Sequence, residues 1–181
     1  MYDMVRLAIT ALLLAAGLPG AGQVQSAVAT PPAVAADGIE RLAFYNGRWR
    51  LESTTLATPH SKVGTTTMSI DNVCQRFLQH LSCARTVDGK PAQLIVFTFD
   101  PASARYTSLP VGADGNGHAA RLRVEGNRLT FPWQDTVGGA LVWFRVVNTL
   151  SGPDTIAYAR EYSNDGEHWL PIESGTEHRV Q

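Results

Sequence analysis

From residue 49 to residue 180 the chain is a succession of short runs rich in β-branched and aromatic residues, each ended by Gly, Pro, Asn or Asp. That pattern belongs to all-β sandwiches and barrels. After a strand opening at Trp49, the runs fall at 64–70, 73–78, 81–87, 93–99, 105–109, 119–125, 128–133, 140–150 and 155–163, with a last strand between Trp169 and Val180. Between them lie Asp88-Gly89, Asp100-Pro101, Gly126-Asn127, Gly138-Gly139, Gly152-Pro153-Asp154 and Asn164-Asp165-Gly166, residues suited to tight turns. Connections this short make neighbours in sequence neighbours in space. About ten strands in successive hairpins form an up-and-down meander, which must close on itself or leave adhesive edges, so a single antiparallel β-barrel is expected. An outer-membrane barrel needs strands of about nine to eleven residues, and most of these runs are shorter.

Before the first strand, Asp37-Gly38-Ile39-Glu40 has the form of a capping box, and Ile39, Leu42 and Ala43 supply one apolar face of a short helix that Gly47 ends. From Trp49 the period becomes two: Trp49, Leu51, Ser53 and Thr55 share one face and Arg48, Arg50, Glu52 and Thr54 the other. Trp49 is expected inside. Asn46-Gly47-Arg48-Trp49 resembles the Gly-x-Trp opener of lipocalin-like (calycin) barrels. Three further segments, Cys74 and Cys83 bracketing a hairpin, Phe99-Asp100-Pro101 with Arg105-Tyr106, and Tyr162-Ser163-Asn164-Asp165-Gly166-Glu167-His168-Trp169, resemble a family of secreted bacterial proteins known as a domain of unknown function. The resemblance spans residues 42–180 and implies a lipocalin-like barrel; it implies no activity.

The N-terminus carries Arg6 and then an apolar run, residues 7–16, too short to span a bilayer comfortably as a helix. It reads as a signal peptide, residues 1–22, with an alternative end at the Ala27-Val28-Ala29 triplet, and the Ala, Val and Pro of residues 23–36 as a flexible leader to a barrel domain at 37–181. The expected location is periplasmic or secreted, with no transmembrane span once the signal is removed. Losing Asp3 and Arg6 leaves the net charge at -1. A chain so nearly neutral lacks the basic surface that nucleic acid requires.

Export makes a disulfide the default for two cysteines that can meet. If the chain reverses at Leu78-Gln79, Cys74 and Cys83 fall opposite each other at a non-hydrogen-bonded position, where side chains are closest. Closing so small a loop contributes about 2.5 to 3 kcal/mol.

Residues 140–150 and 155–163 are joined by Ser151-Gly152-Pro153-Asp154. With Leu150 facing Thr155, Arg145 faces Arg160, on a face that also carries Trp143, Tyr158 and Tyr162. Two like charges across a ladder are unfavourable unless solvent, a carboxylate or a bound anion separates them. Tyr158-x-Arg160-x-Tyr162 also resembles the Arg-x-Tyr carboxylate clamp of fatty-acid-binding barrels. On one reading Arg145 and Arg160 grip an acidic headgroup while Trp143, Tyr158 and Tyr162 contact an apolar body. On the other, Val142, Phe144, Val146 and Asn148, large against small with Ala157, Ala159 and Glu161, form the inner face, and the arginines splay into water with their stems over the aromatic rings.

Residues 163–169 are close to the Asp-box turn of sugar-processing propellers but one residue short, and read as a hairpin turn. His60, His80, His118, His168 and His178 lack ligand spacing, so neither a metal nor another cofactor is expected. Glu161, Glu173 and Glu177 are the carboxylates that catalysis would draw on, without a motif to pair them. Three classes follow: a barrel that binds a small apolar or amphipathic, in one form anionic, molecule; an envelope interaction or inhibitor protein with a filled barrel; and an enzyme acting on a lipophilic substrate. The sequence carries nothing that fixes the oligomeric state.

Overall fold

The structure, a computed structural model, describes residues 38–181. The expected signal peptide, leader and Asp37 cap lie outside the described residues. Ten antiparallel strands form one closed barrel in which each strand pairs with its neighbours in sequence and the last returns to the first. They are β1 Gly47–Thr55, β2 Gly64–Phe77, β3 His80–Val87, β4 Lys90–Asp100, β5 Arg105–Gly112, β6 Ala120–Glu125, β7 Arg128–Val137, β8 Ala140–Gly152, β9 Thr155–Ser163 and β10 Leu170–Val180. The meander and its closure are as the turn chemistry requires.

Three local expectations are corrected. The segment before β1 is a 3-10 helix, Ile39–Tyr45, with Gly38 as N-cap and no side-chain cap bond. Three residues per turn line up Ile39, Leu42 and Tyr45, all buried; Glu40 is ion-paired to Arg76 rather than closing a capping box. The runs at 64–70 and 73–78 are one strand, β2, because Asn72 makes no turn. Its side chain points inward, donating to the Tyr45 carbonyl at 3.1 Å and accepting from Arg85 Nε at 2.9 Å. Finally, seven of the ten strands have nine or more residues, so length does not argue against a membrane barrel. The distribution of side chains does: β1 turns Trp49, Leu51 and Ser53 inward and leaves Arg48, Arg50, Glu52 and Thr54 exposed, the reverse of a lipid-facing wall.

Trp49 is 1% exposed. It packs in the core with Ile39, Leu42, Leu122, Leu129 and Ile156, and the helix lies across this end of the barrel as a plug. The Trp49 indole N–H donates to the Tyr45 carbonyl at 3.2 Å, and the Arg179 guanidinium lies 4.2 Å from the indole ring centre. Arg179 then ties the plug to the wall, donating to the carbonyls of Phe44 and Asn46 and to Asp154. At Gly175 the seam between β1 and β10 is so close that a Cβ would stand 2.2 Å from the Glu52 carbonyl oxygen.

The hairpin between β2 and β3 turns at Leu78-Gln79, pairing Phe77 with His80 and Cys74 with Cys83. The two Sγ atoms are at disulfide distance, 2.10 Å, with 4.0 Å between Cα atoms. The poor turn sequence is accommodated by placing Leu78 at φ 52, a left-handed conformation that costs a non-glycine residue about 1 kcal/mol or more.

Candidate functional site

The β8–β9 pair departs from its expected register, and this rearranges the proposed binding residues. Gly152 pairs with Thr155, Ser151 is bulged out, and from Leu150↔Ile156 onward the partners run Asn148↔Tyr158, Val146↔Arg160, Arg145↔Glu161 and Phe144↔Tyr162. Arg145 therefore does not face Arg160. A one-residue slip exchanges the faces of a strand, so Tyr158, Arg160 and Tyr162 join Phe144, Val146 and Asn148 inside, while Arg145 and Trp143 lie on the outer face.

Each arginine has found a carboxylate. Arg145 donates through Nε to Glu161 at 2.5 Å and lies over the Trp169 ring, 4.0 Å from its centre. Arg160 pairs through Nη2 with Glu173 at 3.2 Å, and Ser53 Oγ donates to the other Glu173 oxygen at 2.6 Å. Tyr158, half-buried beside this cluster, has its phenol pushed up to about 12 by burial and by the charges of Glu173 and Glu177. Glu177, buried with Arg85 as the opposing charge, is raised above the ordinary glutamate value of 4.5 by desolvation.

The opposite half of the interior is hollow. A cavity of about 960 Å³ is walled by β3 to β8 and floored by Tyr45. Its lower surface is aromatic: Tyr45 stacks on Phe97 at 5.9 Å between centres and meets Phe131 edge-on at 6.2 Å. Burial pushes the Tyr45 phenol up, although its oxygen accepts from Asn148 Nδ2 at 2.9 Å. The Asn148 Oδ1 on the same wall is buried and has no partner among the described residues. Higher up, Trp133 stacks on Phe144 at 5.4 Å. The polar lining includes Arg85, Gln93, Ser108, His118 and Asn148.

This half of the wall has an opening. The β6–β7 ladder ends at Arg123↔Thr130, leaving the β6-facing edge of β7 from Phe131 to Val137 without a strand, and β5 and β6 share only three paired positions. Pro132, in that stretch, has no N–H to give to a ladder. The cavity is accordingly lined by outer-face residues as well, among them Arg123, Gln134, Trp143 and Trp169. Trp143 thus borders the mouth of the cavity from the outer face.

Beside Trp133 and Phe144 lies a smaller compartment of about 140 Å³, lined also by His60, Asp135, Arg160 and Ile172. The loop after β1 brings His60 over this end of the barrel, its ring edge-on to Tyr162 at 4.6 Å. The turn at 163–169 is organised by Asp165, which accepts from the backbone N–H groups of Glu167 and His168 and from Ser163 Oγ. Those bonds hold its carboxyl well below the usual range.

Arg85, Phe97 and Phe131 were not singled out by the sequence reading, and Asn148 entered it only as a residue of a packed inner face. One signal was present: Leu81, Cys83 and Arg85 share a phase, so an arginine stands in the apolar register of β3. No protein-family model matches the chain and no curated protein is similar to it. Among solved structures, that of Rv2717c from M. tuberculosis is similar in backbone path, with a TM-score of 0.49 and 13% identity, covering 81% of this chain and 99% of that one.

Proposed function

We propose that this chain is an exported barrel that holds one small apolar or amphipathic molecule in the hollow half of its interior. The cavity carries the reading: its volume lies at the upper end of the range of small-molecule sites, about 300 to 1,000 Å³, and its lining joins aromatic faces to a few convergent polar groups, as such sites do. A ten-stranded wall is wide enough to leave this space, and the gap between β6 and β7 offers a way in. The disulfide is compatible with an oxidising compartment, and the polar outer faces of the strands suit water. The cavity favours this reading over the filled-barrel alternative. Glu173 does face inward, as an enzyme acting within the cup would require, but its oxygens are engaged by Ser53 and Arg160.

The test is a fluorescence titration of the purified protein with N-phenyl-1-naphthylamine, an uncharged aromatic probe, in the wild type and in Ala120→Trp, which fills the cavity from β6. Saturable one-to-one binding by the wild type, lost in a variant of unchanged Tm, is the expected outcome. Equal binding by both proteins would place the probe elsewhere and remove the proposal.

A further inference from the structure

The cavity is lined by charges of one sign. Arg85 and Arg123 contribute to its surface, and no Asp or Glu among the described residues does. Arg85 stands on the inner face of β3, two residues from the buried Cys83, and pairs across the ladders with Asn72 and Gln93. Its Nε donates to Asn72 Oδ1, and Asn72 is itself held by the Tyr45 carbonyl. One of five donors is thereby spent on fixing the plane of the guanidinium. Its two Nη groups have no protein acceptor among the described residues.

Arg123 is exposed on the outer face, and Arg145 and Arg160 differ in another way. Arg145 and Arg160 have carboxylates within ion-pair distance; the charge opposing Arg85, that of buried Glu177, acts without an ion pair between them. Glu177 belongs to the filled half, opposite Leu51 and Ile156. A planar cation held by one edge, with its remaining donors facing a space walled by aromatic rings, is shaped to receive two acceptor oxygens. Phe97 lies four residues along β4 from Gln93, about 13 Å at strand spacing. The length of Arg85 and a two-ring body together cover that distance.

Taking the cavity reading as its basis, the geometry points to an amphipathic organic anion as the ligand, a carboxylate or sulfonate carried on a flat apolar body. The anionic group meets the free Nη edge of Arg85 and the body lies over Phe97 and Phe131. The preference for an anion comes from Arg85 and is opposed by Glu177.

Two probes of similar size separate this inference from its basis: 1-anilinonaphthalene-8-sulfonate carries a charge and N-phenyl-1-naphthylamine carries none. The wild type is expected to bind the sulfonate about tenfold more tightly than the neutral probe, the scale of one charged hydrogen-bonded contact. Arg85→Gln abolishes that ratio, because the loss falls on the charged probe whose contact it removes. Glu177→Gln raises the ratio, because it removes the opposing charge; this opposite direction still tests the inference if Arg85→Gln fails to fold. A wild type that binds the neutral probe and shows no preference, or a ratio that neither substitution moves, overturns anion selection and leaves the cavity reading standing. If neither probe binds the wild type, both fail together.

Discussion

At the plugged end of the barrel, Trp49 is enclosed by Ile39, Leu42 and Leu122 with its N–H on a carbonyl and a guanidinium against its face. Across the interior, Trp133 is 40% exposed, stacks on a single phenylalanine and looks onto empty space. Both are tryptophans on inward-facing positions of antiparallel strands. The difference lies in what surrounds them: β1 is fully laddered on both sides, whereas β7 loses β6 after Thr130. A complete ladder brings facing side chains close enough to fill the barrel, and a broken one leaves a wall that encloses volume without filling it. Stability is thus concentrated around the plug and the β1–β10 seam, and the empty volume lies along the part of the wall that is least tied.

Substitutions break or sharpen this contrast in a definite order. Gly175→Ala is expected to have the largest effect, about 5 kcal/mol or more, because the added Cβ meets backbone that cannot move without opening the seam. Trp49→Ala follows at about 3 to 5 kcal/mol, while Phe131→Ala, whose ring already borders a void, costs about 2 kcal/mol or less. Urea unfolding of the three variants checks the order; equal losses for Trp49→Ala and Phe131→Ala would erase the distinction between the two halves. Removing the disulfide as Cys74→Ser with Cys83→Ser is expected to cost about 2.5 to 3 kcal/mol in the same assay. At the tip of that hairpin, replacing Leu78-Gln79 by Asn-Gly is expected to stabilise by about 1 kcal/mol, since Leu78 holds φ 52 and Asn-Gly favours such turns.

The pH dependence of Glu177 sharpens the contrast within the filled half. Its folded pKa is raised, so the folded protein binds more protons than the unfolded chain above the ordinary glutamate value of 4.5, and stability falls as pH rises through that window. Glu177→Gln is expected to raise Tm at pH 7, with the advantage vanishing on acidification below about pH 4, where both states are protonated. Thermal unfolding at pH 3.5 and pH 7 measures it. An advantage of equal size at both values would show that desolvated charge is not its source. Asp165, with a depressed pKa, acts in the opposite sense: its contribution is present above the unfolded value of 3.8 and lost as pH falls.

What the sequence disclosed depended on whether a local signal was sufficient. Turn residues and period-two alternation gave the meander, Trp49 and the disulfide, because a hairpin's register follows from its turn. The register of β8 against β9 was not legible in that way. Ser151 is bulged out, and no property of Ser151-Gly152-Pro153-Asp154 announces an extra residue. That one residue carried Tyr158, Arg160 and Tyr162 to the interior, left Arg145 outside with Glu161, and dissolved the proposed two-arginine grip. Phe97 and Phe131 were invisible as cavity residues for a different cause. Alternation places them inside, but whether an inside position is filled or hollow depends on the ladder between β6 and β7, which is a property of the whole wall. Arg85 alone left a trace, a charge standing in an apolar phase.

A crystal structure of the protein soaked with N-phenyl-1-naphthylamine tests the central claim most directly. The account predicts density for the probe between Phe97, Phe131 and Phe144, with the β1–β10 seam and the plug unchanged. Side chains collapsed into that space, or a probe found only on the outer wall, would contradict it.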